Sequence, residues 1–185
     1  MTCFSIPPTH SLGPTYRSYW VVEERLAAGG YPGQHGHEMV GELLDAGIVL
    51  FVNLTQDVPG GTDSHLPRYD DEVEAAGADV RRFPIPDLGL PTRDLMVEIL
   101  DSIDAGLDAG CGTYVHCWGG SGRTGTAIGC WLRRHELATP DDVIELMNRL
   151  RDGDLGGGLK PTPNTDKQAE FIVNWREGLP PEPPV

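Results

Sequence analysis

Two kinds of hydrophobic pattern alternate along the chain. Residues 48–54 form a continuous apolar run that is rich in β-branched side chains. Such a run is typical of a strand that is covered on both faces in a parallel sheet. Shorter apolar stretches predict four more strands, at residues 19–22, 25–28, 80–85 and 112–116.

Between and after these strands, apolar residues recur at helical spacing. Leu95, Met96 and Ile99 begin one such stripe, and Thr92 is placed to cap that helix. Thr139 is predicted to cap a later helix, with Pro140 as its first residue. The other predicted helices cover residues 37–46, 69–76, 123–134 and 165–175, and the one capped by Thr139 ends at about residue 151.

The alternation of strands and helices predicts an α/β protein. We expect a small, mainly parallel central sheet with helices on both faces. Residues 1–185 are predicted to form a single domain, because this length supports one good core. Residues 1–17 are expected to lie on the surface as an arm, and the proline-rich tail 176–185 to be extended.

The composition argues against two classes of partner. With 28 acidic and 14 basic residues the formal charge is −14, so neither nucleic acid nor an anionic membrane is expected as a partner, because phosphate backbones are bound by clustered Lys and Arg. No apolar stretch reaches the roughly 20 residues that span a bilayer. Residues 1–14 show no signal-peptide pattern, and the four cysteines show no paired spacing. These features predict a cytoplasmic protein.

The segment from Val115 to Gly125, Val-His-Cys-Trp-Gly-Gly-Ser-Gly-Arg-Thr-Gly, carries the clearest chemistry. Three glycines and a serine lie between Cys117 and Arg123, so the backbone can curl until its N–H groups surround an anion. The guanidinium of Arg123 fits two oxygens of a phosphate-like dianion. The same positive field stabilises a thiolate, which predicts nucleophilic attack by the sulfur of Cys117 on phosphorus.

This segment resembles the cysteine-dependent protein phosphatases, most closely the compact dual-specificity group. The resemblance rests on a His-Cys pair, five intervening residues and an Arg-Thr pair. It implies a phosphatase-like fold in which Cys117 is the nucleophile and Arg123 binds the phosphoryl group. The other phosphate oxygens would be bound by the backbone of the five intervening residues, which are Trp118, Gly119, Gly120, Ser121 and Gly122. The purely structural alternative is a glycine-rich turn around a buried cysteine.

Cleavage of a phosphate ester also needs a proton donor for the leaving oxygen. Asp87 lies on a proline-rich stretch, after a predicted strand and before a predicted helix, about thirty residues before Cys117. The resembling family has its general acid at such a position. The structural alternative is that Asp87 only shapes a turn. The second choices for the general acid are Asp63 and Asp57, which lie in the flexible polar loop 56–68.

Three other residues have two interpretations each. By the resemblance, Thr124 assists the departing sulfur, although its hydroxyl can equally satisfy first-turn amides. His116 precedes the nucleophile and points to the opposite face of the strand, and the resemblance implies that it orders the loop and favours the thiolate without shuttling protons. Gln168 is interpreted as part of a capping box with Thr165, in preference to a role in positioning water.

The expected substrates are phosphorylated proteins or small phosphate monoesters, with phosphotyrosine, with or without phosphoserine and phosphothreonine, as the main choice. No cofactor and no metal is expected, since His35 and His37 have no further ligand near them in the sequence. Inositol phosphates are disfavoured because the loop after Cys117 carries no extra Lys or Arg. The other functions considered are a phosphate-binding module without turnover, and a different thiol enzyme such as an arsenate reductase or a sulfur transferase.

Overall fold

A five-stranded sheet forms the centre of the computed structural model, which describes residues 4–33, 38–157 and 160–177. In space the strands follow the order β1-β2-β5-β3-β4; the first pair is antiparallel and the other three pairs are parallel. The carboxyl ends of β3, β4 and β5 therefore meet at one edge of the sheet. The strands are β1 (Ser18–Val22), β2 (Leu26–Gly29), β3 (Ile48–Asn53), β4 (Asp79–Arg82) and β5 (Gly112–His116).

Helices cover both faces of this sheet. On one face, α1 and α2 enclose a cluster that includes Leu43, Phe51 and Tyr114. On the other face, α3 to α6 pack on a larger cluster that includes Val52, Val115 and Trp131. The predicted α/β class with a mainly parallel sheet between helices is thus confirmed. The helices are α1 (Glu38–Asp45), α2 (Asp70–Ala75), α3 (Arg93–Asp108), α4 (Gly122–Arg134), α5 (Val143–Arg151) and α6 (Asp166–Val173).

Two predicted elements have different bounds for physical reasons. The strand predicted at residues 80–85 ends at Arg82, because the next hydrogen bonds beside β3 fall out of register: the N–H of Phe83 donates to the carbonyl of Asn53 at 2.9 Å, and that of Ile85 to the carbonyl of Leu54 at 3.3 Å. The helix predicted to begin after Thr139 begins at Val143. The N–H of Thr139 donates to the Asp142 carboxylate at 2.6 Å, and Asp142 is the residue that precedes the helix. By contrast, Thr92 caps α3 as predicted, accepting from the N–H of Leu95 at 3.2 Å.

The described part of the predicted surface arm, residues 4–17, also contacts the core. The ring of Phe4 packs edge-on against Trp131, with 4.9 Å between the centroids, and Ile6 also packs against the core. Single apolar residues in an aperiodic segment give no pattern from which such packing can be predicted. His35, His37 and the tail from residue 178 onward lie outside the described residues. In the part that is described, no helix is both long and apolar enough to cross a bilayer.

Candidate active site

The segment around Cys117 lies at the carboxyl end of β5, between β2 and β3, where open α/β sheets bind ligands. Cys117 itself is only 3% exposed, and the loop that follows it leads into α4. Gly120 in this loop has a φ of +72°, and a Cβ there would lie 2.5 Å from the backbone of Gly29. This position therefore requires glycine, both for its conformation and for the close approach of β2.

The N-terminus of α4 has no side-chain cap. The residue before it, Ser121, makes no capping hydrogen bond; its hydroxyl instead donates to the carbonyl of Pro161 at 2.8 Å. Thr162 in turn donates to the carbonyl of Ser121 at 2.8 Å. These two contacts fix the loop from behind. The N-terminal amides of α4 keep their usual capacity to bind an anion.

Arg123 is 2% exposed and reaches several acceptors at once. Its guanidinium donates to Asp63 at 2.6 and 3.2 Å, to the carbonyl of Ile85 at 3.0 Å and to Asp87 at 3.0 Å. Burial acts against the charged form, but the hydrogen bond with Asp63 and the nearby acidic groups, Cys117 among them, raise the pKa of Arg123. The guanidinium therefore carries a permanent charge beside the cysteine.

Asp63 is the buried partner of this arginine. Its carboxylate accepts from the backbone N–H of Gln56 at 2.9 Å and from the hydroxyl of Thr62 at 3.0 Å, in addition to Arg123. Burial alone would raise the pKa of Asp63, but the hydrogen bonds, that from Arg123 foremost, lower it below its ordinary value. Asp63 is thus a fixed carboxylate, which makes it a poor proton donor.

Asp57, the other second-choice acid, is also held by an arginine. Arg82 donates to Asp57 at 2.6 Å and to Asp70 at the start of α2. The loop expected to be flexible is therefore held by ion pairs at Asp57 and at Asp63. No local pattern indicates these ion pairs, because the arginine partners lie 25 and 60 residues away along the chain.

Asp87, like Asp63, contacts the guanidinium of Arg123. It lies in the loop between β4 and α3, and its side chain is 55% exposed although one oxygen contacts Arg123. Its backbone N–H donates to the hydroxyl of Thr62 at 3.0 Å. The structure thus brings Cys117, Arg123 and Asp87 to one place. Asp87 is the member of this group that water and a leaving group can reach.

His116 lies on the other face of β5, as its position before the nucleophile predicts. Its Nε2 is 2.6 Å from the hydroxyl of Tyr69, and its Nδ1 is 3.3 Å from the carbonyl of Cys117. Complete burial lowers the pKa of His116 to about 3. A neutral ring satisfies both contacts if Nδ1–H donates to Cys117 and Nε2 accepts from Tyr69. The neutral histidine therefore contacts the backbone carbonyl of Cys117.

Thr124 and Trp118 complete the surroundings of Cys117. The hydroxyl of Thr124 is buried and has no hydrogen-bond partner among the described residues, so it does not satisfy the first-turn amides of α4. Trp118 is 40% exposed, and its ring lies 6.2 Å from that of Tyr31 and 6.1 Å from that of His65. Tyr31 is buried in the core, whereas His65 and Trp118, which follows Cys117 in the chain, are exposed.

Sequence reasoning missed several functional contacts. Asp63 was considered as an acid and not as the partner of Arg123, and neither Tyr69 nor Thr62 was assigned a role. The topology contains a usable signal, because the loops that follow parallel neighbours β3, β4 and β5 must meet at one edge of the sheet. In the described ranges, no three His, Cys, Asp or Glu side chains come together as metal ligands.

Comparisons with known proteins agree with this geometry. A family model described as a polymorphic toxin system DSP-PTPase phosphatase matches residues 30–136, a range that includes Asp63, Asp87 and the whole Cys117–Arg123 loop. The dual specificity protein phosphatase CDC14B of Mus musculus is 35% identical over 108 residues, which are 56% of this chain and 20% of that protein. The chain spans about half or less of the length of such curated relatives.

Solved structures show the same fold at lower identity. A kinase-associated phosphatase whose catalytic-site cysteine is replaced by serine has a TM-score of 0.67 at 22% identity, covering 80% of this chain and 83% of that one. PTPMT1 in complex with PI(5)P has a TM-score of 0.65 at 18% identity, covering 82% of this chain and 89% of that one. Both similarities concern the arrangement of helices and strands.

Proposed function

Since this chain belongs to the DSP-PTPase phosphatase family of polymorphic toxin systems, we propose that it hydrolyses phosphate monoesters through a phosphocysteine on Cys117. The observation that carries the proposal is the position of Arg123. This buried guanidinium lies beside the cysteine and holds the exposed carboxylate of Asp87 at 3.0 Å. A nucleophile, a phosphate-binding cation and a candidate acid thus share one small region.

In the first step the thiolate of Cys117 attacks phosphorus. The S–P bond forms while the P–O bond of the ester breaks, and the leaving oxygen takes the proton of Asp87. Arg123 donates two parallel hydrogen bonds to the equatorial oxygens of the transferring group, and the N-terminal amides of α4 stabilise its remaining negative charge.

In the second step water attacks the phosphorus of the phosphocysteine. The carboxylate of Asp87 takes a proton from this water, the S–P bond breaks and inorganic phosphate is formed. Cys117 leaves as a thiolate. The buried hydroxyl of Thr124, which makes no hydrogen bond to the other described residues, is available to donate to that sulfur. His116 contributes by holding the backbone of Cys117.

We propose phosphotyrosine in proteins as the main substrate. Cys117 is 3% exposed, and the ring of the next residue, Trp118, is exposed and lies 6.1 Å from the exposed ring of His65. A recessed nucleophile favours a long side chain, and exposed aromatic rings near it favour an aromatic substrate. Phosphoserine and phosphothreonine are the shorter alternatives.

An inositol phosphate is the second candidate substrate. It is suggested by the structural neighbour that was solved in complex with PI(5)P. Against it stands the loop of this chain, which has no Lys or Arg between Cys117 and Arg123 for a neighbouring ring phosphate. A comparison of phosphotyrosine peptide, phosphothreonine peptide and PI(5)P as substrates ranks the three classes, and a preference for PI(5)P would contradict the protein substrate.

A binding module without turnover, an arsenate reductase and a sulfur transferase are the other functions considered. Pure binding needs neither a thiolate nor an acid. Asp87 is exposed and can leave Arg123 when phosphate binds there, so its carboxyl group is suited to protonate the leaving oxygen of an ester, which arsenate reduction and sulfur transfer do not require. Hydrolysis of a phosphate monoester uses all three groups, namely the thiolate of Cys117, the guanidinium of Arg123 and the carboxyl group of Asp87.

The test is the release of phosphate from a generic aryl phosphate by the wild type and by Cys117→Ser. We expect turnover to disappear in the variant while vanadate still binds, because Arg123 and the loop backbone remain. Cys111→Ser is the matched control, since Cys111 is a free thiol at the other end of β5. Turnover that persists in Cys117→Ser, or that depends on an added divalent ion, would contradict the proposal.

A further inference from the structure

The loop that carries Asp87 contains a strained turn. The N–H of Gly89 donates to the carbonyl of Pro86 at 2.9 Å, which closes the turn, and Leu88 inside it has a φ of +57°. A leucine in this left-handed conformation costs on the order of 1 kcal/mol. Such a conformation persists when the surroundings hold it, so the residues that contact this turn determine where Asp87 points.

Gln168 contacts the turn from the side of α6. Its side chain is fully buried, and both ends of its amide are used: Nε2 donates to the carbonyl of Gly89 at 3.1 Å, and Oε1 accepts from the N–H of Asn164 at 3.1 Å. Thr165 caps α6 by accepting from the backbone N–H of Gln168 at 3.2 Å. The predicted cap is therefore present, but the side chain of Gln168 reaches beyond it to the loop of Asp87.

The amide of Gln168 also lies against the phosphate-binding loop. A Cβ added to Gly122 would be 3.2 Å from both Nε2 and Oε1 of Gln168. One buried side chain thus connects the start of α4, the N-terminus of α6 and the turn that carries the candidate acid.

Thr62 contacts the same turn from the opposite side. Its hydroxyl accepts from the N–H of Asp87 at 3.0 Å and donates to Asp63 at 3.0 Å. Because Asp63 is bound to Arg123, Thr62 connects the backbone of Asp87 to the group that binds phosphate. The strained Leu88 lies between the two contacts, one at Asp87 and one at Gly89.

We propose that Gln168 and Thr62 are positioning residues which hold the turn of Asp87 over Arg123, so that the acid faces the leaving oxygen. This inference rests on the proposed phosphatase function. It differs from a role for Gln168 in orienting the water that hydrolyses the phosphocysteine, because the amide of Gln168 acts on the turn through its hydrogen bond to Gly89. A positioning role acts, through Asp87, on both chemical steps, whereas a water-orienting role acts on the second alone.

Gln168→Met separates the two roles. Methionine keeps the length of the side chain and adds no charge beside the phosphate-binding loop, but it cannot donate to the carbonyl of Gly89. With phosphotyrosine peptide, whose leaving group needs the acid, we expect kcat/KM to fall about tenfold, the effect of one lost hydrogen bond. With a fluorinated aryl phosphate, whose leaving group needs no proton, kcat/KM should stay within about twofold of wild type. The rate of phosphocysteine breakdown after a burst should fall as well, because Asp87 also takes the proton of the attacking water.

Thr62→Val and Thr62→Ser test the second contact at an exposed position where misfolding is not expected. Valine should reproduce the selective loss on phosphotyrosine peptide, and serine, which keeps the hydroxyl, should restore it. Thr139→Val is the control, since Thr139 is an exposed threonine beyond the far end of α4. Thermal unfolding of each variant separates a local effect from a loss of fold.

Three results would overturn the inference. Equal losses on both substrates would mean that these residues only support the fold or Arg123. Unchanged kcat/KM on phosphotyrosine peptide in Gln168→Met and in Thr62→Val would mean that the contacts do not matter. Slow phosphocysteine breakdown with normal kcat/KM would assign Gln168 to the water. None of these three results contradicts the proposed phosphatase function. That function is contradicted if Cys117→Ser retains turnover.

Discussion

Arg123 is contacted by two aspartates that differ in almost every other respect. The side chain of Asp63 is 5% exposed and accepts hydrogen bonds from three partners, whereas that of Asp87 is 55% exposed and accepts from Arg123. Asp63 lies after β3 and Asp87 after β4, so two different loops contact the same guanidinium. Arg123 thus has one buried carboxylate partner, Asp63, and one that solvent can reach, Asp87.

This difference indicates a division of roles. The hydrogen bonds from Arg123 and its neighbours lower the pKa of Asp63 despite its burial, so Asp63 keeps its charge and holds the guanidinium in position. Asp87 can exchange its contact with Arg123 for a bound phosphate and then face the leaving oxygen. Two carboxylates near one arginine are therefore assigned to positioning and to proton transfer.

Removal of the accessible partner is expected to have the largest effect. Asp87→Asn should lower kcat/KM for phosphotyrosine peptide by roughly 10²–10⁴-fold, the usual contribution of a general acid. Steady-state kinetics measure this directly. The control is Asp57→Asn, because Asp57 is bound to Arg82 and not to Arg123. A similar loss of kcat/KM in Asp57→Asn would contradict the assignment of Asp87 as the general acid.

Replacement of the shared arginine should have the next largest effect. Lysine keeps the charge of Arg123 but cannot donate in parallel to two phosphate oxygens. We expect Arg123→Lys to lose about 2–4 kcal/mol of transition-state stabilisation, roughly 30- to 900-fold in kcat/KM. Wild-type activity in this variant would show that charge alone is sufficient.

Removal of the charge of the buried partner should have a smaller effect. Asp63→Asn retains an acceptor for Arg123 but weakens charge-assisted hydrogen bonds, so kcat/KM should fall about tenfold. The loss should be the same for phosphotyrosine peptide and for a fluorinated aryl phosphate, since Arg123 binds the phosphoryl group of both. A loss confined to phosphotyrosine peptide would make Asp63 a proton donor.

The smallest effect concerns stability. Burial lowers the pKa of His116 from 6.5 to about 3, so between these values the unfolded chain binds a proton that the folded chain does not. The free energy of unfolding should therefore rise with pH across this window and be fully gained above 6.5. His116→Gln, which keeps a donor and an acceptor, should reduce the difference between pH 5 and pH 7 by on the order of 1–2 kcal/mol in urea unfolding. An unchanged slope would mean that the imidazole is charged when folded.

The parts of the site that are local in the chain could be predicted from the sequence. The Cys117 loop is encoded within a few residues, because its glycines, its arginine and the following helix are contiguous. The position of Asp87 between a strand and a helix is also a local feature. The same is true of the apolar run that forms β3 and of the cap of α3 by Thr92.

The parts that depend on tertiary contacts could not be predicted. Asp63 and Arg123 are 60 residues apart, and Gln168 and Gly89 are 79 apart, so no local pattern connects them. A short polar side chain in a loop has the same appearance in the sequence whether it faces water or a buried arginine. Once the order of the strands is known, the contact between Asp63 and Arg123 follows from loops that meet at one edge of the sheet, whereas that between Gln168 and Gly89 also requires the position of α6.

The most direct test of this division of roles is the dependence of kcat/KM on the leaving group. A series of aryl phosphates, from tyrosine-like phenols to fluorinated phenols, should be measured for the wild type, Asp87→Asn and Asp63→Asn. We predict a shallow dependence for the wild type, a steep one for Asp87→Asn with activity restored on the best leaving groups, and for Asp63→Asn the wild-type slope at a uniformly lower rate. A steep dependence in Asp63→Asn together with a shallow one in Asp87→Asn would contradict the account.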